Sequence, residues 1–147
     1  MVHLSKTADI FLSQTQIAVL STVGTDNRPH SVPIWYEWDG DHAFMFTGAN
    51  TLKWKNLSNN PYASLCVDFR EPPYRSVVVR GKVKEIKKPL HDFVKKMAIR
   101  YYGPNEGSEF AKSYPDDKKG VVIFQLIPDK IIEELEGLFN RGAKIIW

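Results

Sequence analysis

Alternating apolar and polar residues predict antiparallel strands along most of the chain, because a period of two places successive side chains on opposite faces. Asp39-Gly40 is a strong signal for a two-residue hairpin turn, with Phe44 and Phe46 on the return strand. The predicted strands are residues 17–23, the hairpin strand ending at Trp38 and its return strand, and residues 62–69, 74–86 and 121–127. Gly81, inside the longest of them, indicates a bend or a bulge.

Helical periodicity predicts three helices, which lie near Ser5–Gln14, from about Thr51 to Asn59, and from Pro89 to Gly103-Pro104. The third is the clearest, because its apolar residues recur at i, i+3, i+4, i+7, i+8 and i+11: Leu90, Phe93, Val94, Met97, Ala98 and Tyr101. A less regular helical turn covers Glu106 to Ser113, and Pro128 is expected to open a short amphipathic tail after the last strand.

Pro33 is unusual because it interrupts a strand in which Val32, Ile34, Tyr36 and Trp38 alternate with other residues. Proline has no N–H to donate to a neighbouring strand. The sequence therefore predicts an edge strand, a bulge, or a backbone turned toward something other than a strand.

Six antiparallel strands with helices at the margins favour a small antiparallel barrel, since closure removes exposed sheet edges. An open α+β sheet with one helix layer is the alternative. No linker or repeat divides the chain, so residues 1–147 are expected to form a single domain.

Composition indicates a globular cytoplasmic protein with no membrane segment. The chain is 43% hydrophobic and 25% charged, with no apolar run near the ~20 residues that span a bilayer. The first residues do not resemble a signal peptide. Cys66 is the single cysteine and lies in an apolar run, which predicts a buried, unreactive thiol in a reducing compartment.

The net charge of +3 does not indicate a nucleic-acid partner. Strand periodicity places Arg80, Lys82 and Lys84 together on a face that we expect to be solvated. No aromatic side chains are interleaved with these cations, and this argues against a single-stranded nucleic-acid platform.

Catalytic motifs are not evident in the sequence. The four histidines are scattered without metal-ligand spacing, and neither a Gly-x-Ser-x-Gly motif nor a glycine-rich nucleotide motif occurs. We therefore expect no metal site and name no catalytic side chain.

The segment from Thr47 to Asn56 carries the strongest indication of a ligand. It enters a predicted helix directly from a strand, and Lys53 and Asn56 would share one face of that helix. A lysine in the first turn is disfavoured by the helix dipole, so an anionic partner such as a phosphate would stabilise it. An ordinary surface lysine is the alternative interpretation.

A resemblance extends over about 70 residues, roughly half the chain, and consists of short pieces whose order and spacing are specific. The pieces are Ala18-Val19-Leu20-Ser21-Thr22-Val23, Arg28-Pro29-His30, Val32-Pro33-Ile34-Trp35, Phe46-Thr47-Gly48, Leu52-Lys53, Asn56-Leu57, Asn60-Pro61, Ser64-Leu65, and Val77-Val78-Val79 before Gly81. Together they resemble the flavin-binding split-barrel family, which includes relatives of pyridoxamine 5'-phosphate oxidase and deazaflavin-dependent reductases.

This resemblance implies a homodimeric oxidoreductase with a six-stranded split barrel, holding FMN or a deazaflavin coenzyme where the protomers meet and transferring a hydride to or from a small-molecule substrate. The backbone from Val32 through Pro33 and Ile34 to Trp35 would contact the ring. Thr47, Lys53 and Asn56 would hold the phosphate, and Ser76 would add a polar contact.

The chain also departs from pyridoxamine phosphate oxidases in three places. Leu52 stands where they have an arginine, Glu37 where they have a substrate lysine, and residues 139–147 show no counterpart of their C-terminal arginine- and histidine-bearing segment. Two alternatives remain open: a pyridoxamine phosphate oxidase proper, and a flavin- or haem-binding module without turnover.

Overall fold

The computed structural model of the protein describes residues 2–135, and within them lie four helices and seven strands. The helices are α1 (Lys6–Ser13), α2 (Leu52–Asn59), α3 (Leu90–Tyr102) and α4 (Pro104–Ala111). The strands are β1 (Ala18–Val23), β2 (Pro29–Ile34), β3 (Glu37–Trp38), β4 (Ala43–Gly48), β5 (Tyr62–Phe69), β6 (Arg75–Ile86) and β7 (Val121–Glu134). Residues 139–147, which the sequence analysis compared with the C-terminal segment of pyridoxamine phosphate oxidases, lie outside the described residues.

All the strands belong to one antiparallel sheet in the order β2-β1-β5-β6-β7-β4-β3. Its two edge strands, β2 and β3, are consecutive in the chain and only Trp35 and Tyr36 separate them. The sheet must therefore curl until its edges approach each other. This curled sheet with helices at its margins confirms the predicted split barrel.

Two apolar clusters hold the fold together, one on each side of the sheet. The inner cluster fills the barrel with fully buried side chains such as Leu20, Leu65 and Phe124. The outer cluster joins α3 and α4 to the sheet, where Phe93 packs edge-on against Phe46 of β4. Each buried side chain of this size contributes roughly 1.5–3 kcal/mol of hydrophobic free energy.

Residues 2–135 form seven strands rather than the predicted six, because the predicted hairpin strand is divided at Trp35 and Tyr36. Tyr36 is fully buried, and its hydroxyl donates to the carbonyl of Leu12 at 2.8 Å. Its backbone N–H donates to the hydroxyl of Tyr101 at 3.1 Å. At Tyr36 the chain is therefore held by the Tyr101 side chain and by a carbonyl near the end of α1, instead of by pairing with a strand.

The last strand is longer than predicted, because β7 continues past Pro128 to Glu134. The prediction that Pro128 opens a short amphipathic tail is therefore wrong. Pro128 lies at a bulge, where the pairing with β6 shifts between Arg80 and Gly81. A Cβ on Gly81 would lie 1.9 Å from the carbonyl oxygen of Ile127. The bulge predicted from Gly81 is confirmed, and it allows a proline inside a paired strand.

The remaining elements follow the predictions with small changes. Gly103 ends α3 at φ +86°, and Pro104 then begins α4, two residues before the helical turn expected from Glu106. Arg80, Lys82 and Lys84 are exposed on one face of β6, as predicted. Cys66 is half-buried rather than buried, although burial still raises the pKa of its thiol.

Candidate functional site

The split in the barrel presents two strand edges that have no strand beside them among the described residues. β2 pairs with β1 alone. β4 pairs with β7 along its whole length but with β3 only at Ala43 and Phe44, so its second half, from Met45 to Gly48, has an open edge. Both edges belong to segments that the sequence predicted to bind a ligand.

The β1–β2 ladder shows which backbone groups of β2 point into the split. Gly24 N–H donates to the carbonyl of Arg28 at 3.0 Å, which fixes the alternation of hydrogen-bonded pairs along the ladder. Pro33 then occupies a position whose backbone groups point away from β1. A proline loses no ladder hydrogen bond there, which accounts for Pro33 as an edge-strand residue and leaves its carbonyl directed outward.

The same reasoning applies to β4 on the other side of the split. Ala49 N–H donates to the carbonyl of Gly120 at 2.8 Å, in register with the β4–β7 ladder. The backbone N–H and C=O of Phe46 therefore point away from β7 and toward the open edge. One donor and one acceptor are thereby offered at the split.

An apolar cavity of about 310 Å³ lies at this place. Its lining residues are Ile17, Pro33, Ile34, Trp35, Phe46, Tyr102 and Phe110. Trp35 stacks on Tyr101 with ring centroids 4.9 Å apart and an angle of 6° between the planes. The volume is at the lower end of the roughly 300–1,000 Å³ of small-molecule sites, and three of the predicted ring-contacting residues line it together.

Lys53 lies near the same segment of β4, at the start of α2. Its Nζ donates to Oγ1 of Thr47 at 2.9 Å, while Thr51 caps the helix through the N–H of Trp54 at 3.4 Å. The N–H groups of Leu52 and Lys53 precede the first helical hydrogen bond, from Lys55 to Thr51. Burial lowers the pKa of the Lys53 ammonium.

Thr47, which contacts the Lys53 ammonium, directly follows the cavity residue Phe46 on β4. The two side chains point to opposite faces of the strand: Phe46 faces the helices α3 and α4, and Thr47 faces the barrel interior. The structure therefore brings Thr47 and Lys53 together, one residue along β4 from Phe46 of the cavity and on the opposite face of the strand.

Three other predicted residues do not line this cavity. Val32 lies in β2 opposite Leu20. Asn56 is 6% exposed, and its Nδ2 donates to Oγ1 of Thr22 at 3.0 Å, which fastens α2 to β1. Ser76 is 4% exposed and lies in β6 between Asp68 and Glu134.

Sequence reasoning did not include four of the cavity residues among the site residues. Phe46 was part of the family-like Phe46-Thr47-Gly48 piece, so it carried a signal. Ile17, Tyr102 and Phe110 carried none, because only the tertiary fold brings α3, α4 and the start of β1 beside β2.

Three further observations concern the described residues. No group of three or more His, Cys, Asp or Glu side chains within residues 2–135 is placed to hold a metal ion. Glu37 contacts the ammonium of Lys96 at 2.8 Å. No described helix combines the length and the apolar character needed to cross a bilayer.

Comparison with solved structures gives several proteins with the same fold. An F420 reductase superposes with a TM-score of 0.71 at 24% identity, covering 88% of this chain and 98% of its own. A conserved hypothetical protein from Mycobacterium tuberculosis gives 0.73 at 19% identity, with coverages of 99% and 92%. The haem storage protein of Vibrio cholerae gives 0.67 at 14% identity, with coverages of 88% and 94%.

No curated protein sequence matches the chain. The family model described as pyridoxamine 5'-phosphate oxidase, however, matches residues 4–133, which is most of the chain. The curled sheet, its open edges and this match agree, and the chain belongs to the pyridoxamine 5'-phosphate oxidase family.

Proposed function

We propose that this protein is an oxidoreductase that binds FMN in the split of the barrel and transfers a hydride between the flavin and a small substrate. A deazaflavin coenzyme is the alternative cofactor. The observation that carries the proposal is the apolar cavity between two open strand edges, one residue away from the contact between Lys53 and Thr47.

The split suits a flat heterocycle that has both hydrogen-bond donors and acceptors. The outward N–H and C=O of Phe46 and the carbonyl of Pro33 offer complementary groups, and the apolar walls would remove the ring from water. A flavin bound there supplies the hydride chemistry, while the chain binds it, orients it and excludes water.

The Lys53 ammonium suits a phosphate because it bears two unfavourable effects in the protein alone. Burial lowers its pKa, and the positive end of the α2 dipole repels it. A phosphate at the N-terminus of α2 would offset both effects and accept from the N–H groups of Leu52 and Lys53.

We also propose a homodimer, as the family resemblance implies. Two residues that line the cavity, Ile17 and Pro33, are themselves exposed, so the cavity opens onto the outer face of β1 and β2. A second copy on that face would cover the opening and shield the ring from water.

The phosphate assignment is tested by comparing FMN with riboflavin, which lacks the phosphate. Lys53→Ala should weaken FMN binding about 10- to 100-fold, since a hydrogen bond to a charged group contributes about 1.5–3 kcal/mol. Riboflavin binding should change little. Lys55→Ala removes a lysine from the same helix and should leave both affinities near those of the wild type. Equal losses of FMN and riboflavin with Lys53→Ala would exclude Lys53 from a phosphate site.

The choice of cofactor is tested by fluorescence titration with FMN and with a deazaflavin coenzyme side by side. The structural likeness to an F420 reductase supports including the deazaflavin. We expect tighter binding of FMN. Tighter binding of the deazaflavin would assign the alternative cofactor, and binding of neither would contradict the proposal.

A binding module without turnover is the second candidate, and the likeness to a haem storage protein favours testing it. If the protein is an oxidoreductase, chemically reduced flavin in the protein is reoxidised by quinone or nitroaromatic acceptors faster than free reduced flavin. A bound flavin that no acceptor reoxidises would favour the binding module.

Assay with pyridoxamine 5'-phosphate tests the oxidase itself, which the Glu37–Lys96 ion pair disfavours.

A further inference from the structure

A second cavity, of about 370 Å³, lies between the hairpin of β3 and β4 and the first turns of α3. We call it the helix cavity. Two phenyl rings, three carboxylates, two ammonium groups and a proline line it. It shares no lining residue with the apolar cavity in the split, although Phe46 of that cavity contacts Phe93 of the helix cavity edge-on.

The two phenyl rings form the apolar wall of the helix cavity. Phe44 of β4 is half-buried, and Phe93 of α3 is 9% exposed. Each ring makes a T-shaped contact with a further ring, Phe44 with His42 and Phe93 with Phe46. The rings are therefore fixed by the fold, and the face of such a ring attracts cations.

The chain's own ammonium group already occupies a position against these rings. Nζ of Lys88 lies 4.4 Å from the centroid of Phe44 and 6.0 Å from that of Phe93. Within residues 2–135 Lys88 forms no ion pair, although Asp39 and Asp92 line the same cavity. Lys88 is exposed, so its side chain can leave the rings without breaking an ion pair.

The carboxylates give the helix cavity a negative character. Three carboxylates and two ammonium groups leave its lining with a formal charge of −1. Glu37 is paired with Lys96 at 2.8 Å. Asp39 Oδ1 accepts from two backbone N–H groups of the hairpin turn, at 2.8 and 2.7 Å, which fixes this carboxylate. Asp92 has no ion-pair partner in the described part of the chain, and its place in the first turn of α3 offsets the positive end of the helix dipole.

We propose that the helix cavity is a binding site for a small organic cation that carries a quaternary ammonium group. The cationic head replaces the Lys88 ammonium against Phe44 and Phe93, and the carboxylates of Asp39 and Asp92 balance its charge. Lysine's compact ammonium is strongly hydrated, whereas quaternary ammonium groups are the cations that aromatic pockets recognise well. An anionic ligand would meet three carboxylates here and is disfavoured.

Titration of the full-length protein with choline, in the absence of flavin, tests the proposal. The matched uncharged probe is 3,3-dimethyl-1-butanol, which has the shape of choline with carbon in place of the charged nitrogen. Chemical-shift titration of ¹⁵N-labelled protein should give saturable choline binding that moves the amide signals of Phe44 and Phe93. The alcohol should bind at least about tenfold more weakly, because it lacks the attraction of a cation to the rings and carboxylates.

Three variants at exposed positions, where the fold should be retained, examine the roles of the charges. Lys88→Met removes the ammonium that competes for the rings, so choline should bind about three- to tenfold more tightly. Lys87→Met is the matched control, because it removes the same charge from the adjacent residue, whose Nζ contacts Glu85 at 2.7 Å. It should change the dissociation constant by less than about twofold. Asp92→Asn should weaken choline binding about two- to fivefold and leave the binding of the alcohol unchanged.

The comparison of the two lysine variants decides whether the effect is local. Tighter binding with Lys88→Met but not with Lys87→Met would support the site. The proposal is overturned if choline binds saturably to neither the wild type nor Lys88→Met, if the alcohol binds as tightly as choline, or if the two lysine variants have the same effect.

This inference is independent of the proposed flavin function, because its titrations use the protein without flavin and the two cavities have separate linings. Choline binding by a protein that binds no flavin would retain the helix cavity as a site and remove the oxidoreductase assignment. Flavin binding without choline binding would do the opposite.

Discussion

At the residue scale, Tyr101 joins segments that lie far apart in the sequence. Its hydroxyl donates to the carbonyl of Gln16 at 2.7 Å and accepts from the N–H of Tyr36 at 3.1 Å. Burial raises the pKa of Tyr101, so the hydroxyl keeps its proton and remains a donor at neutral pH. Its ring stacks on Trp35, so this one side chain fixes the chain where the two sheet edges meet.

Tyr101→Phe should therefore lower the free energy of unfolding by about 1–3 kcal/mol, because it leaves a buried N–H and a carbonyl without their partner. Tyr102→Phe is the control, since Tyr102 is 49% exposed and its hydroxyl makes no side-chain hydrogen bond in the described structure. It should change stability by less than about 0.5 kcal/mol. Urea unfolding measures both, and equal losses would contradict the role given to Tyr101.

The phosphate-binding role that we propose for Lys53 predicts that this residue carries a cost in stability. In the protein without ligand, Lys53→Met should raise the free energy of unfolding near neutral pH by less than about 1 kcal/mol, allowing for the water that still reaches the ammonium. The gain arises because methionine carries no charge to desolvate.

The pH dependence of this gain has a definite sign. The pKa of Lys53 is lower in the folded protein than its ordinary value of 10.5. At pH values between the two, the unfolded chain binds more protons than the folded one. The stability of the wild type therefore rises with pH across this window, and its deficit relative to Lys53→Met should shrink toward pH 10.5. Denaturant unfolding at several pH values measures the difference, and a deficit that grows with pH would refute the assignment.

At the scale of elements, the bulge between β6 and β7 shows what hydrophobic periodicity does not reveal. Buried residues alternate in β6 from Val77 to Val83, the period of two that predicted this strand, whereas in β7 the neighbours Ile123 and Phe124 are both buried. Pro128 appeared to end β7 because a proline ordinarily disrupts a ladder, yet the register shift at Gly81 accommodates it. Whether a proline ends a strand or lies at a bulge depends on the partner strand, which the local sequence does not specify.

Gly81→Ala should destabilise the protein by about 3 kcal/mol or more, because the added Cβ would lie 1.9 Å from a backbone carbonyl that cannot easily move. Gly103→Ala offers a contrast, since nothing lies within 4 Å of the added atom and only the φ of +86° is unfavourable. It should cost about 1–2 kcal/mol. Chemical denaturation compares them, and a smaller loss at Gly81 than at Gly103 would be inconsistent with the close approach.

At the scale of the whole molecule, stability and ligand binding are linked. A ligand that binds only the folded protein stabilises it by about 2.7 kcal/mol at 100 times its dissociation constant. FMN at that excess should raise the thermal midpoint of the wild type, and the same concentration should raise that of Lys53→Ala much less. Differential scanning calorimetry measures the two shifts, and identical shifts would separate Lys53 from FMN binding.

The fold and part of the candidate site could be predicted from the sequence, for different reasons. The barrel follows from periodicity and hairpin chemistry, which are local. Lys53 and Pro33 stood out because each breaks a local rule, the helix dipole in one case and strand pairing in the other. Tyr102 and Phe110 break no such rule and reach the cavity only because α3 and α4 pack beside β2. Asn56 shares the helix face of Lys53, but its amide is used within the fold.

The short connection between β2 and β3 limits what the split can admit. Three peptide units separate Ile34 from Glu37, so their Cα atoms can be no more than about 11 Å apart. Paired strands lie about 4.8 Å apart, and a gap of two such spacings holds one layer. At this end the short link therefore limits the width of anything held between the two sheet edges to about that of one extended strand.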